Sequence, residues 1–208
     1  MNFNEFRKKI SNYPFIRSNA LEHFTDKPEI LRRQISEWLA KGYLLKLKRG
    51  IYTLRSEDRK AQFSSYFIAN IIYAPSYVSL ETALSFYNLI PEKVVTIASV
   101  TTKKTQAFEN NYGYFSYHHI KTNLYSDFAS ISDEFGNKFF IATKEKAIID
   151  FLYFNMHHLK IIDSDIFEQS FRFQNLDQLN KQEILRIAKN FPQPKMQKLI
   201  KILITLLQ

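Results

Sequence analysis

The sequence predicts an α+β fold in two parts: a short helical module closed by a basic β-ribbon, then a mixed α/β domain with a small sheet and a helical C-terminal tail. Three observations predict it. Residues Lys27 to Leu54 read as an amphipathic helix, a glycine stop and two strands turned by Arg49-Gly50, the end of a winged helix-turn-helix. From Val94 to Ala142, β-branched and aromatic runs replace the helical period. From Thr143 onward the period is helical again.

In chain order, Asn2 to Ile10 is expected to form a first helix with Phe3, Phe6 and Ile10 on one side and Arg7, Lys8 and Lys9 outward. Tyr13-Pro14-Phe15 interrupts it. Ser18 is an N-cap candidate for a second short helix, Asn19 to Phe24, and Thr25-Asp26-Lys27 is a turn. Pro28 suits the first position of the third helix, where a missing N–H costs nothing, and Gly42 suits its end. Leu31, Ile35, Trp38 and Leu39 form its apolar stripe, with Glu29, Arg32, Arg33, Ser36 and Glu37 opposite. Tyr43 to Lys48 and Ile51 to Leu54 are the ribbon. Three helices and a ribbon in about 55 residues match the size of a winged helix.

The boundary is placed between Leu54 and Lys60, dividing the chain into residues 1–56 and 57–208. No flexible linker is visible, so the two parts are expected to pack together. A helix capped within Ser56 to Asp58 is expected to bury Phe63, Phe67 and Ile71 and to end at Ala74-Pro75. Ser79 is read as the N-cap of a helix burying Leu80, Ala83, Leu84 and Tyr87, stopped by Pro91. Strands follow at Val94 to Thr101, Tyr112 to Ile120, Phe128 to Ser132 and Lys138 to Ala142. Thr143 caps a helix from Lys144 to about Met156 that buries Ala147, Ile148, Phe151 and Leu152. The tail is expected to be helical at Asp165 to Phe171, Lys181 to Lys189 and Lys195 to Leu207.

Composition narrows the function. The 208 residues contain no cysteine, which excludes disulfides, cysteine metal sites and a thiol nucleophile. No stretch approaches the roughly 20 apolar residues of a membrane span, so a soluble, cytoplasmic protein without membrane partners is expected. The net charge of +9 is unevenly placed: residues 1–60 hold 14 Lys or Arg against 7 Asp or Glu, residues 61–208 hold 15 against 13. A local cationic surface suits a polyanion, because neutralising phosphates releases counterions. In winged-helix geometry Lys27, Arg32, Arg33 and Gln34 are the candidates for contact with the major groove, and Lys46, Lys48 and Arg49 for backbone phosphates or the minor groove. The competing reading puts Arg33 in surface ion pairs with Glu29 and Glu37, both four residues away.

No residue pattern points to catalysis, a metal or a cofactor. His118-His119 and His157-His158 are adjacent pairs, which diverge on a strand or a helix. Asp127, Asp133 and Glu134 with Lys138 are the raw material of a nuclease-like cluster, weighed against an ordinary polar loop. No glycine-rich phosphate loop exists. In the second part, Lys103, Lys104 and Thr105 form a basic bend that is either solvated or a contact surface for nucleic acid, with Tyr112, Tyr114 and Tyr117 nearby as stacking faces or sheet packing.

Five segments occur together in order between about residues 40 and 155: Lys48-Arg49-Gly50-Ile51-Tyr52; Ser76 to Leu84 with Leu89-Ile90-Pro91; Thr96 to Thr101 with Lys103-Lys104; Tyr112 to Tyr117; and Ile141 to Ala147 leading to Asp150. This succession resembles the AbiEi family of antitoxins from type IV, abortive-infection toxin-antitoxin systems. The resemblance implies a winged-helix domain that binds inverted or direct repeats in operator DNA and represses its own operon. It also implies a C-terminal domain that counters a nucleotidyltransferase-like toxin without a stable complex, and no enzymatic activity. The alternative is a stand-alone winged-helix regulator whose second domain senses a ligand or partner.

Overall fold

Asn2 begins the first helix, α1 (Phe3–Ile10), through a reciprocal cap: its side-chain oxygen accepts the Glu5 N–H at 2.9 Å, and the Glu5 carboxylate accepts the Asn2 N–H at 3.0 Å. The computed structural model describes residues 1–159, 162–163 and 165–207. After α1 come β1 (Ile16–Arg17), a 3-10 segment at Ser18–His23, α2 (Pro28–Ala40), β2 (Leu44–Lys48) and β3 (Ile51–Leu54). The second helix expected from the sequence is thus a tight 3-10 turn with no side-chain cap. The Ser18 N–H donates to the Gly50 carbonyl at 2.9 Å, tying this turn to the hairpin. α2 ends as expected, with Gly42 at φ +67 and the Tyr43 N–H on the Trp38 carbonyl at 2.8 Å.

The three strands form an antiparallel sheet in the order β1-β3-β2, with Ile16 opposite Tyr52 and Leu44 opposite Leu54. A register irregularity between Lys46 and Lys48 turns Leu47 inward. Leu44 and Leu54 join Phe6, Ile10, Leu21, Leu31, Ile35 and Trp38 in a small core, where Phe6 stacks on Trp38 at 4.9 Å. Leu47 and Ile51, nearer the turn, belong instead to the large core built by the rest of the chain.

Arg59 joins these two cores. Its side chain is buried, and one guanidinium nitrogen donates to the Thr53 hydroxyl (2.9 Å), the Leu54 carbonyl (3.3 Å) and the Tyr112 hydroxyl (2.8 Å). The guanidinium carbon lies 3.7 Å from the Phe63 ring centre. This placement overturns the helix expected from Ser56. Asp58 pairs with Arg7 at 2.7 Å, Arg59 turns inward, and α3 (Ser65–Ile72) starts only at the Ser64 cap. Its buried stripe is Ile68, Ala69 and Ile72, rotated from the Phe63, Phe67, Ile71 face read from the sequence.

The remaining elements are β4 (Ser76–Val78), α4 (Leu80–Phe86), β5 (Ile97–Thr101), β6 (Gln106–Asn110), β7 (Gly113–His119), β8 (Phe128–Ser132), β9 (Lys138–Ala142), α5 (Lys144–Asn155), α6 (Lys181–Ala188) and α7 (Pro194–Leu206), with 3-10 turns at Thr122–Leu124 and Leu176–Gln178 and a π-helical turn, Ile166–Ser170, where a helix from Asp165 to Phe171 is expected. The fold is therefore α+β, but the second sheet is larger than expected: six strands in the order β6-β7-β5-β4-β9-β8, parallel only between β5 and β7 and between β4 and β9. The Tyr117 hydroxyl donates to the Ala69 carbonyl of α3 at 2.6 Å, while the neighbouring His118 ring meets Phe154 of α5 at 5.5 Å. Successive strand residues face opposite ways, so α3 covers one face and α5 the other. α7 docks through Met196, Leu199, Ile200 and Leu203, with Lys198 and Lys201 outward. Among the described residues no helix is long and apolar enough to cross a membrane.

Thr143 caps α5 as expected, by accepting the Lys146 N–H at 3.2 Å. Ser79 does not cap α4. Its hydroxyl donates to the Asp150 carboxylate at 2.8 Å, beside the Tyr77 hydroxyl at 2.9 Å, and the Lys146 ammonium takes the other carboxylate oxygen at 2.5 Å. Lys146 and Asp150 are both 0% exposed. Burial pushes the Asp150 carboxyl above the usual carboxylate range, opposed by the ammonium and the two hydroxyls.

Candidate nucleic-acid interface and basic cleft

The apolar stripe of α2 faces the small core, which leaves its other side to solvent: Lys27, Arg32 and Arg33 are exposed and Gln34 is half-buried. Arg32 pairs with Glu29 three residues before it. Arg33 makes no ion pair among the described residues, so the Glu29 and Glu37 pairings considered from spacing do not occur. Lys27 likewise makes no ion pair among the described residues.

The three cations of the hairpin part company. Lys46 and Arg49 are exposed, whereas Lys48 is half-buried and its ammonium donates to the Ile72 carbonyl at the end of α3, at 3.1 Å. The same ammonium lies 5.0 Å from the Tyr73 ring centre and 4.8 Å from that of Phe108. Burial lowers the Lys48 pKa, and the nearby charges of Lys103 and Arg17 lower it further.

That proximity unites two groups of residues that the sequence kept apart. Arg17, Lys48, Arg49 and Lys103 line one cleft of about 310 Å³ between the hairpin turn, the start of the 3-10 segment, the end of α3 and the bend after β5. No Asp or Glu is among its lining residues. Gly50, at φ +81, makes the turn; a Cβ there would come within 3.0 Å of the Ser18 hydroxyl. The bend carrying Lys103 is pinned three ways. The Lys103 N–H donates to the Thr101 hydroxyl at 3.1 Å, the His119 ring holds the Lys103 carbonyl at 2.9 Å, and the Tyr73 hydroxyl donates to the Lys104 carbonyl at 3.1 Å. Lys104 is exposed outside the cleft lining, and Thr105 accepts the His119 N–H at 3.1 Å. Arg17 escaped sequence reasoning because β1 is two residues long, too short to display the in-out alternation of Ile16 and Arg17 as a strand signal.

No protein-family model matches the chain, and none of the curated proteins does.

The other sequence candidates are dispersed. Tyr117 is buried, Tyr112 accepts from Arg59, and only Tyr114 is well exposed, so the three do not form a stacking platform. Asp127 and Asp133 flank opposite ends of β8, where Asp127 meets Arg186 and Asp133 accepts backbone N–H groups of Ser64, Phe135 and Asn137. They cannot share one reacting centre across a five-residue strand. A second cleft, about 500 Å³, opens on the α5 side of the sheet between Glu81, Ser116, His118, Phe154 and His158. Burial lowers the His118 pKa there, with the Glu81 carboxylate acting against it.

Proposed function

We propose that this chain is an antitoxin of a type IV toxin-antitoxin system, which represses its own operon through an N-terminal winged helix-turn-helix and counters a nucleotidyltransferase-like toxin through its second domain. The single observation that carries the DNA-binding half is the exposed side of α2, where Lys27 and Arg33 make no ion pair among the described residues, on a module of fitting topology. The order α1, β1, 3-10 turn, α2, β2, β3, with β1 paired to β3, supports a winged helix. In this reading Arg32, Arg33 and Gln34 read base edges, and Lys46 and Arg49 hold phosphates. The antitoxin half is supported by the family resemblance of the segments between residues 40 and 155, and by no site geometry. The protein acts in the cytoplasm by binding, without chemistry of its own.

The test is a pair of assays in cells on one variant, Arg32→Ala with Arg33→Ala. Repression of a reporter under the chain's own promoter is expected to fail while protection from the toxin persists. Loss of both in a folded protein contradicts separate domains. The cleft around His118 and Glu81 favours a second reading, a ligand-sensing regulator; a saturable melting shift with a small molecule that vanishes on His118→Ala supports it.

A further inference from the structure

We propose that the cleft formed by Arg17, Lys48, Arg49 and Lys103 is a phosphate-binding site shared by the two parts of the chain. This goes beyond the operator reading, since it assigns β1 and the second domain to one ligand and does not depend on α2.

The four cations come from three segments far apart in sequence, and the cleft lining has no carboxylate to balance them. Like charges gathered in a partly enclosed space repel, and an oxyanion placed among them relieves that repulsion. The backbone of the bend carrying Lys103 is held at three points and the Lys48 ammonium is held by the Ile72 carbonyl, while the side chains of Arg17, Arg49 and Lys103 are exposed at the cleft. The Tyr73 ring lies near both ammonium groups, 5.0 Å from Lys48 and 5.3 Å from Lys103, and softens their repulsion without neutralising either. Two guanidinium forks and two ammonium groups are the donor set that suits the oxygens of a phosphate, and the Ser18 hydroxyl at the lip adds a neutral donor. A cleft of about 310 Å³ admits a phosphate group with part of what it is attached to. Two sources share this chemistry: the backbone of a nucleic acid and a small phosphorylated molecule.

The experiment uses the full chain, in wild-type form and as Arg17→Gln, Lys103→Gln and the double variant. Thermal melting is followed against inorganic phosphate and against chloride at equal ionic strength. Affinity for a random-sequence DNA duplex is followed against salt. A saturable rise in melting temperature in phosphate, lost in the double variant and kept in Arg32→Ala with Arg33→Ala, supports the site. If the double variant also loses about two units of the salt slope for duplex, the phosphate comes from DNA. If duplex binding is unchanged while the phosphate shift is lost, the source is a small molecule. In chloride, Lys103→Gln is expected to melt no lower than wild type, since it removes repulsion. The proposal is overturned if neither the phosphate shift nor duplex affinity depends on Arg17 and Lys103. The operator reading fails on a different result, operator binding unaffected by loss of Arg32 and Arg33.

Discussion

Replacing Asp150 by alanine strands the Lys146 ammonium in a site closed to bulk solvent and takes the acceptor from the Tyr77 and Ser79 hydroxyls. Removing one member of a buried ion pair costs about 3–5 kcal/mol, because the remaining charge has no partner. Each orphaned hydroxyl adds about 1 kcal/mol or more, though the terms overlap since all three groups share one carboxylate. Against a typical total of about 5–15 kcal/mol, this is a large share of the stability. With a urea dependence of about 2 kcal/mol/M, the ion-pair loss alone is expected to lower the unfolding midpoint by about 1.5–2.5 M. The paired substitution Lys146→Met with Asp150→Leu removes both charges and is expected to recover most of the loss. Far-UV circular dichroism reads the whole chain, while the only tryptophan, Trp38, reads the small N-terminal core. Because Leu47, Ile51 and Arg59 tie the cores together, both signals are expected to shift together. An Asp150→Ala midpoint within about 0.3 M of wild type, or a double variant weaker than the single, refutes the reasoning.

Three further outcomes are expected. Arg59→Met removes charged hydrogen bonds to Thr53, Leu54 and Tyr112, and is expected to cost about 2–4 kcal/mol and to separate the Trp38 transition from the circular dichroism transition. Lys48 has a lowered pKa when folded, so the unfolded chain holds that proton to higher pH; stability gains with pH between the lowered value and 10.5, and Lys48→Met is expected to flatten that gain in alkaline urea titrations. Gly50→Ala forces a side chain onto φ +81 against the Ser18 hydroxyl and is expected to lower stability by about 1 kcal/mol or more by urea unfolding.

The elements legible in the sequence are those with a full period or a clear cap. α2 between Pro28 and Gly42, the β8–β9 pair around Gly136 and α5 behind Thr143 stand where capping and alternation place them. Very short elements and the most polar strand were not legible. β4 is three residues buried on every side and shows no alternation, and β6 is an edge strand carrying Gln106, Glu109 and Asn110. The burial of charged residues was not legible either. The burial of Arg59 depends on Tyr112, far along the chain; Lys146 and Asp150 are one turn apart on α5, and the burial of that pair depends on Tyr77 and Ser79 from outside the helix. The same holds for the cleft. Lys48, Arg49 and Lys103 were each legible as basic residues at turns, but their meeting, with Arg17, depends on how the hairpin seats against α3.

The most direct measurement of the central claim is equilibrium binding of a labelled duplex from upstream of the chain's own gene, set against a random duplex over a range of salt. Tighter binding to the upstream duplex is expected, with an affinity that falls steeply with salt and a preference that is lost in Arg32→Ala with Arg33→Ala. Equal affinity for the two duplexes, unchanged by removal of both arginines, would contradict it.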